Sequence, residues 1–225
     1  MADADDTAPT PPEAPPGCPL CPRLVAYRQE NVAQHPEWYN RAVPSWGDEP
    51  ERVRLLVVGL APGVQGANRT GRPFTGDWAG DLLYATLLDQ GLASGRYERR
   101  KGDGLRLHGT MITNAVRCVP PQNKPTAEEV NTCRDFLLAR IGALPTLRAL
   151  LCLGKISHDS TVRALGGRVA LHGFAHEAEH TLGGPNGDLA LVSSYHCSRY
   201  NTNTGKLTAE MFASAVARAK AAAGL

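Results

Sequence analysis

Arg54–Leu60, RLLVVGL, is a short apolar run closed by glycine, and a loop rich in glycine, proline and asparagine follows it from Ala61 to Gly76. A run with no polar face suits a strand buried on both sides of a parallel sheet. The next segment, Asp77–Gln90, gathers Leu82, Leu83, Leu87 and Leu88 on one side of a helix. The same grammar repeats downstream. Thr110–Val116 reads as a second strand, Ala149–Leu153 as a third and Leu189–Ser193 as a fourth. Thr126 to Glu129 forms a capping box opening a helix to about Ile141. Further helices are expected near Ile156–Leu165 and from Thr208 into the alanine-rich end. This alternation predicts an α/β fold: a single domain with a central, mostly parallel four-stranded sheet flanked by helices on both faces. Sites in such sheets form at the carboxyl ends of strands, which selects the loops at Ala61, Arg117 and Ser194.

Composition narrows the class. With 42% hydrophobic and 20% charged residues, the 225-residue chain reads as an ordinary soluble globular protein with one core. Residues 1–17 combine five prolines with small and acidic residues and are expected to form a disordered tail, leaving 18–225 as the domain. The acidic start has no apolar signal region, and no run of about 18 apolar residues exists to span a membrane. The expected location is therefore cytoplasmic, and the expected state a monomer. A net charge of +2 leaves any basic surface local.

Six cysteines in a cytosolic chain argue for metal ligation, catalysis or burial rather than disulfides. Cys18-Pro19-Leu20-Cys21 is a CxxC turn, and Cys118 and Cys133 are its candidate partners. Four thiolates suit a zinc ion or a [4Fe–4S] cluster equally by count. Cys152 lies within an apolar strand and reads as core. Cys197 follows His196, but neighbours in extended backbone face opposite ways, so it reads as a packing residue rather than half of a dyad. His172, His176 and His180 recur at helical spacing; Gly173, Gly183 and Gly184 weaken that helix and with it a metal site.

Two loops carry the polar chemistry. Gly59–Gly66 contains neither a Walker lysine nor a dinucleotide fingerprint, so its glycines indicate only close approach to a ligand. Asn68–Asp77, NRTGRPFTGD, joins two arginines, an aromatic ring and a carboxylate. Asp77 serves as a helix N-cap on the simplest reading, and as a carboxylate beside a sugar on the sharper one.

Taken together, GLAPG (Gly59–Gly63), NRTGRPFTGD (Asn68–Asp77), Val116–Thr126 and Tyr195–Thr208 resemble the uracil-DNA glycosylase superfamily, specifically family 5, the type B enzymes. The resemblance runs from Cys18 to Leu225. It implies that Cys18, Cys21, Cys118 and Cys133 hold a [4Fe–4S] cluster. It also implies tolerance of hypoxanthine and other deaminated bases besides uracil in DNA. Family 4 enzymes carry an acidic residue where this chain has Leu60, so Asp77 becomes the leading acidic candidate. Asn114 stands where family 4 enzymes place a base-recognising asparagine.

On this reading a nucleotide is flipped into a pocket lined by Ala61, Pro62 and Gly63, with Phe74 stacked on the base. Asn123, with Asn114, is expected to hydrogen-bond the base edge. His196 is the expected donor to the departing base, and Asp77 the negative group near the sugar. Arg69, Arg72, Arg117, Lys124, Arg199 and Lys206 are the candidate phosphate contacts, of which about half are expected to touch DNA. Neither lysine is read as a nucleophile, so simple hydrolysis without strand cleavage is expected. An iron–sulfur electron-transfer protein and a non-catalytic nucleic-acid-binding module are the alternatives.

Overall fold

The structure, a computed structural model, describes residues 11–225. Its first elements are α1 (Pro22–Gln34), β1 (Trp46–Gly47), β2 (Leu55–Gly59), α2 (Trp78–Asp89), β3 (Ala93–Ser94), β4 (Arg106–Leu107) and β5 (Thr110–Asn114). There follow α3 (Ala127–Gly142), β6 (Ala149–Leu153), α4 (Lys155–Ala164), β7 (Glu179–Gly184), β8 (Gly187–Ser194), α5 (Arg199–Asn203) and α6 (Ala209–Ala223). Strands β3 and β4 pair with each other, apart from the main sheet.

The main sheet runs β1-β5-β2-β6-β8-β7. Its centre, β5-β2-β6-β8, is wholly parallel and consists of the four strands expected from the apolar runs. Six strands stand where four were expected, because β1 and β7 add antiparallel edges. Neither edge carries an apolar run: β1 has two residues, and β7 (EHTLGG) buries Leu182 alone. His180 sits in β7, so the helix drawn through His172, His176 and His180 does not form.

Period-two alternation divides the core. Leu55 and Val57 of β2 face Leu83 and Leu87 of α2 and Phe212 and Val216 of α6. Leu56 and Val58 face Leu137 and Ile141 of α3 and Val162 of α4. Every residue of β2 is buried, as its unbroken apolar pattern requires. The capping box at α3 is present in full: the Thr126 hydroxyl accepts from the Glu129 amide, and Glu129 accepts from the Thr126 amide.

The expected tail needs a correction over its second half. Residues 1–10 lie outside the described residues, but Ala14 is buried and Glu13 accepts from the buried Arg117 and from Arg140. The proline-rich composition hid this, since the attraction comes from two arginines more than a hundred residues away. Among the described residues no helix is long and apolar enough to cross a membrane.

Candidate active site and cysteine cage

The carboxyl ends of β2, β5 and β8 open onto one cleft of about 380 Å³. From the loop after β2 it receives Ala61, Pro62, Gly63 and Phe74, then Asp77 at the start of α2. Asn114 ends β5, Asn123 lies on the turn beyond it, and His196 follows β8. All eight residues expected to bind or act on a base therefore line one cleft. Trp78 and Ser198 line it too, and sequence reasoning missed both. Trp78 Nε1 donates to Thr202 Oγ1 at 3.0 Å, a link across 124 positions that no local spacing announces.

Phe74 is buried at a φ of +52°. A non-glycine residue there costs roughly 1–3 kcal/mol and persists only when its surroundings over-determine it. Its ring lies 6.0 Å from the His196 ring, centroid to centroid, and 26° from parallel. Gly59 is obligatory behind it, because a Cβ there would collide with the ring and with Asn114 Oδ1.

Asp77 is the N-cap of α2 and also lines the cleft. Oδ1 accepts from the Gly80 amide at 3.2 Å and caps α2. Oδ2 faces the backbone of Gly63 and Gly66, where added Cβ atoms would press on it. Burial raises the carboxyl above its ordinary value, opposed in part by the Gly80 hydrogen bond. His196 has an enclosed Nδ1 with no hydrogen-bond partner, and burial pushes the imidazole down to about 4. Its carbonyl is fixed by Asn201 Nδ2 at 2.8 Å. Cys197 is fully buried in the core beside Ala79, as a packing residue should be.

Two of the six candidate phosphate contacts are corrected. Arg72 is 2% exposed, paired with Asp103, and Arg117 is 1% exposed, paired with Glu13. Neither guanidinium can reach a DNA backbone. Arg69 and Arg199 stay accessible, with Arg199 lining the cleft 5.6 Å from the Trp78 ring. Lys124 is exposed, and Lys206 lines an adjoining hollow with its Nζ 4.9 Å from the Tyr195 ring.

Cys18, Cys21, Cys118 and Cys133 line a second, smaller cavity with Leu24, Val116 and Phe136. Arg28 donates to Cys118 Sγ at 3.2 Å, and the Arg117 amide donates to Cys133 Sγ at 3.3 Å. Burial pushes the Cys133 thiol up to about 12 and Cys21 to about 11. Thiolates in such surroundings call for a cationic centre among them. Four soft donors, two of them already accepting N–H groups, suit an iron–sulfur cluster. Among the described residues no group of three or more His, Cys, Asp or Glu is arranged to hold a single ion. Cys152 is buried elsewhere in the core.

The family model for the uracil DNA glycosylase superfamily matches residues 46–220. A type-5 uracil-DNA glycosylase of Thermus thermophilus is 47% identical over 92% of this chain and 94% of its own length. Type-5 enzymes of Pyrobaculum aerophilum and Mycobacterium tuberculosis are each 40% identical over 92% of this chain, covering 89% and 79% of their own lengths. This chain belongs to the uracil-DNA glycosylase superfamily, in its type-5 branch. For a type-5 protein the departures are as informative as the matches. Leu60, apolar, lines the cleft at the position where the family 4 pattern is acidic, and among the described residues Asp77 is the one carboxylate lining it.

Proposed function

We propose that this protein is a monofunctional glycosylase that hydrolyses the N-glycosidic bond of uracil in DNA, and of hypoxanthine and other deaminated bases. The observation that carries the reading is the convergence of Phe74, Asn114, Asn123, Asp77 and His196 on one cleft. An aromatic face, two amides, a carboxylate and a neutral imidazole are what excision of a flipped nucleotide needs. The names of the type-5 relatives support the same activity.

In this mechanism the base stacks on Phe74, and Asn123 and Asn114 read its edge. The C1′–N bond breaks with its electron pair leaving on the base. His196, held neutral, keeps an N–H to donate to the base oxygen where negative charge grows. Asp77 stabilises the positive sugar and orients the water that supplies hydroxide to C1′; the water's other proton ends on the base or in solvent. No lysine lines the cleft among the described residues, which favours hydrolysis over an amine adduct. Arg69, Lys124, Arg199 and Lys206 are the proposed phosphate contacts.

Cys18, Cys21, Cys118 and Cys133 would hold a [4Fe–4S] cluster. When bound, the cluster supplies a cross-link between the chain start, the end of β5 and α3, not a reactive centre for the cleft. Six free cysteines suit a reducing, cytoplasmic setting, and the enzyme is proposed to act there as a monomer.

The test is incubation of end-labelled duplexes carrying uracil, hypoxanthine or no lesion, followed by hot alkali. Breaks only at lesions, and only after alkali, are expected. Breaks before alkali would contradict a monofunctional enzyme.

His196 also sets a pH expectation. Its imidazole falls from about 6.5 unfolded to about 4 folded, so the unfolded chain binds the extra proton between those values. Stability from this group is thus present above about 6.5 and lost as pH falls towards 4. The excision rate should show no His196 limb between about pH 6 and 8. An inflection near 6.5 that His196→Gln removes would mean that the imidazole titrates in the working range.

A further inference from the structure

The segment between the stacking ring and the carboxylate is gripped residue by residue from behind. Arg72 forks onto Asp103, with Nη1 and Nη2 donating to the two carboxylate oxygens at 2.8 and 2.7 Å, and its Nε donates to Thr75 Oγ1 at 2.7 Å. The Pro73 carbonyl accepts from the Tyr84 hydroxyl at 2.6 Å. The Phe74 carbonyl accepts from the Tyr97 hydroxyl at 3.2 Å, and the same hydroxyl accepts from the Gly76 amide at 3.2 Å. Arg72, Pro73, Phe74 and Gly76 therefore each have a fixed polar contact on a deeper layer, and Thr75 is tied to Arg72. The guanidinium itself sits 4.8 Å from the centre of the Trp46 ring, 5.5 Å from that of Tyr84 and 5.8 Å from that of Tyr97.

Asp103 reaches this layer from the excursion between α2 and β5 that carries β3 and β4. Its remaining acceptor capacity is taken by the amides of Glu98 and Leu105, which bind Tyr97's neighbourhood to the same carboxylate. A buried ion pair with every lone pair used is a poor source of net stability but a strong constraint on geometry. The geometry it constrains is unusual: Phe74 at a φ of +52°, flanked by Gly71 and Gly76 at +74° and +97°.

We infer that Arg72, Asp103 and Tyr97 are positioning residues for base excision, which hold the Phe74 ring and the Asp77 carboxylate at the spacing a flipped nucleoside requires. They act through the backbone of residues 72–76 and none of them lines the cleft. The inference rests on the glycosylase reading and names a part of its machinery that no substrate contact would reveal. Because the cation is spent on Asp103, Arg72 contributes nothing to holding the DNA backbone. Its loss should therefore slow the chemistry and leave DNA affinity intact.

Tyr97→Phe is the decisive variant, since it keeps the ring beside Arg72 and removes only the hydroxyl that holds Phe74 and Gly76. Single-turnover excision of uracil would be measured across enzyme concentrations, beside wild type, Asp103→Asn and melting temperatures. For Tyr97→Phe the maximal rate is expected to fall roughly tenfold or more, with the half-saturating concentration within about twofold of wild type. Asp103→Asn, which breaks the fork, should fall further. A maximal rate equal to wild type in a folded Tyr97→Phe protein would overturn the inference. So would a loss that appears wholly as weaker DNA binding. Absence of excision by wild type would instead overturn the glycosylase reading, and the inference with it.

Discussion

Asp77→Asn is expected to slow uracil excision by roughly a hundredfold to a thousandfold, while the protein stays folded and DNA affinity holds or rises slightly. The size follows from the carboxylate's place. Among the described residues it is the one anionic group lining the cleft, and it is desolvated, so a positive sugar forming there is stabilised far more than it would be in water. The choice of asparagine separates the two roles of this residue. Its side-chain oxygen can still accept from the Gly80 amide, so α2 keeps its cap, worth about 1 kcal/mol. Asp77→Ala would lose both and confuse them. Single-turnover rates and melting curves together decide. A full excision rate in Asp77→Asn would reduce Asp77 to a capping residue.

The second large effect is expected at the cysteine cage. Cys18→Ala should lose the brown absorbance of the proposed cluster and melt roughly 8–20 °C lower. Linking the chain start to β5 and α3 closes a loop of about a hundred residues, and a cross-link of that length is worth roughly 4–5 kcal/mol on the loop-closure scale. For a domain of this size each kcal/mol moves the midpoint by about 2–4 °C. Cys152→Ala is the control, because Cys152 is equally buried but stands apart from the cage. Absorbance and melting point both unchanged in Cys18→Ala would remove the cluster from the account of stability.

The contrast between central and edge strands shows what the sequence could disclose. β2 and β6 are buried at every position and carry no polar residue, so both were legible and β6 matches Ala149–Leu153 to the residue; β5 (TMITN) and β8 (GDLALVSS) show shorter apolar stretches that end in polar residues. β7 borrows its order from β8 across the turn at Pro185 and Asn186, and needs no apolar run of its own. The cleft was legible because its residues cluster in and after the carboxyl ends of three strands, β2, β5 and β8. Their resemblance to a known family, more than their periodicity, assigned their roles. Arg72 and Arg117 misled for a plain reason: an arginine in a polar loop looks the same whether it faces a phosphate or a buried carboxylate. The carboxylates that claim them, Asp103 and Glu13, lie 31 and 104 positions away. Only the fold brings those pairs together.

The most direct test of the central claim is release of free base. Duplex DNA labelled in its uracil would be incubated with wild-type protein and with an Asp77→Asn, His196→Ala double variant, and the liberated base separated and counted. Free uracil from wild type, with release by the folded double variant reduced to near background, is the result predicted. No free uracil from a folded, cluster-bearing wild-type protein, or undiminished release by the double variant, would contradict the cleft as the site of excision.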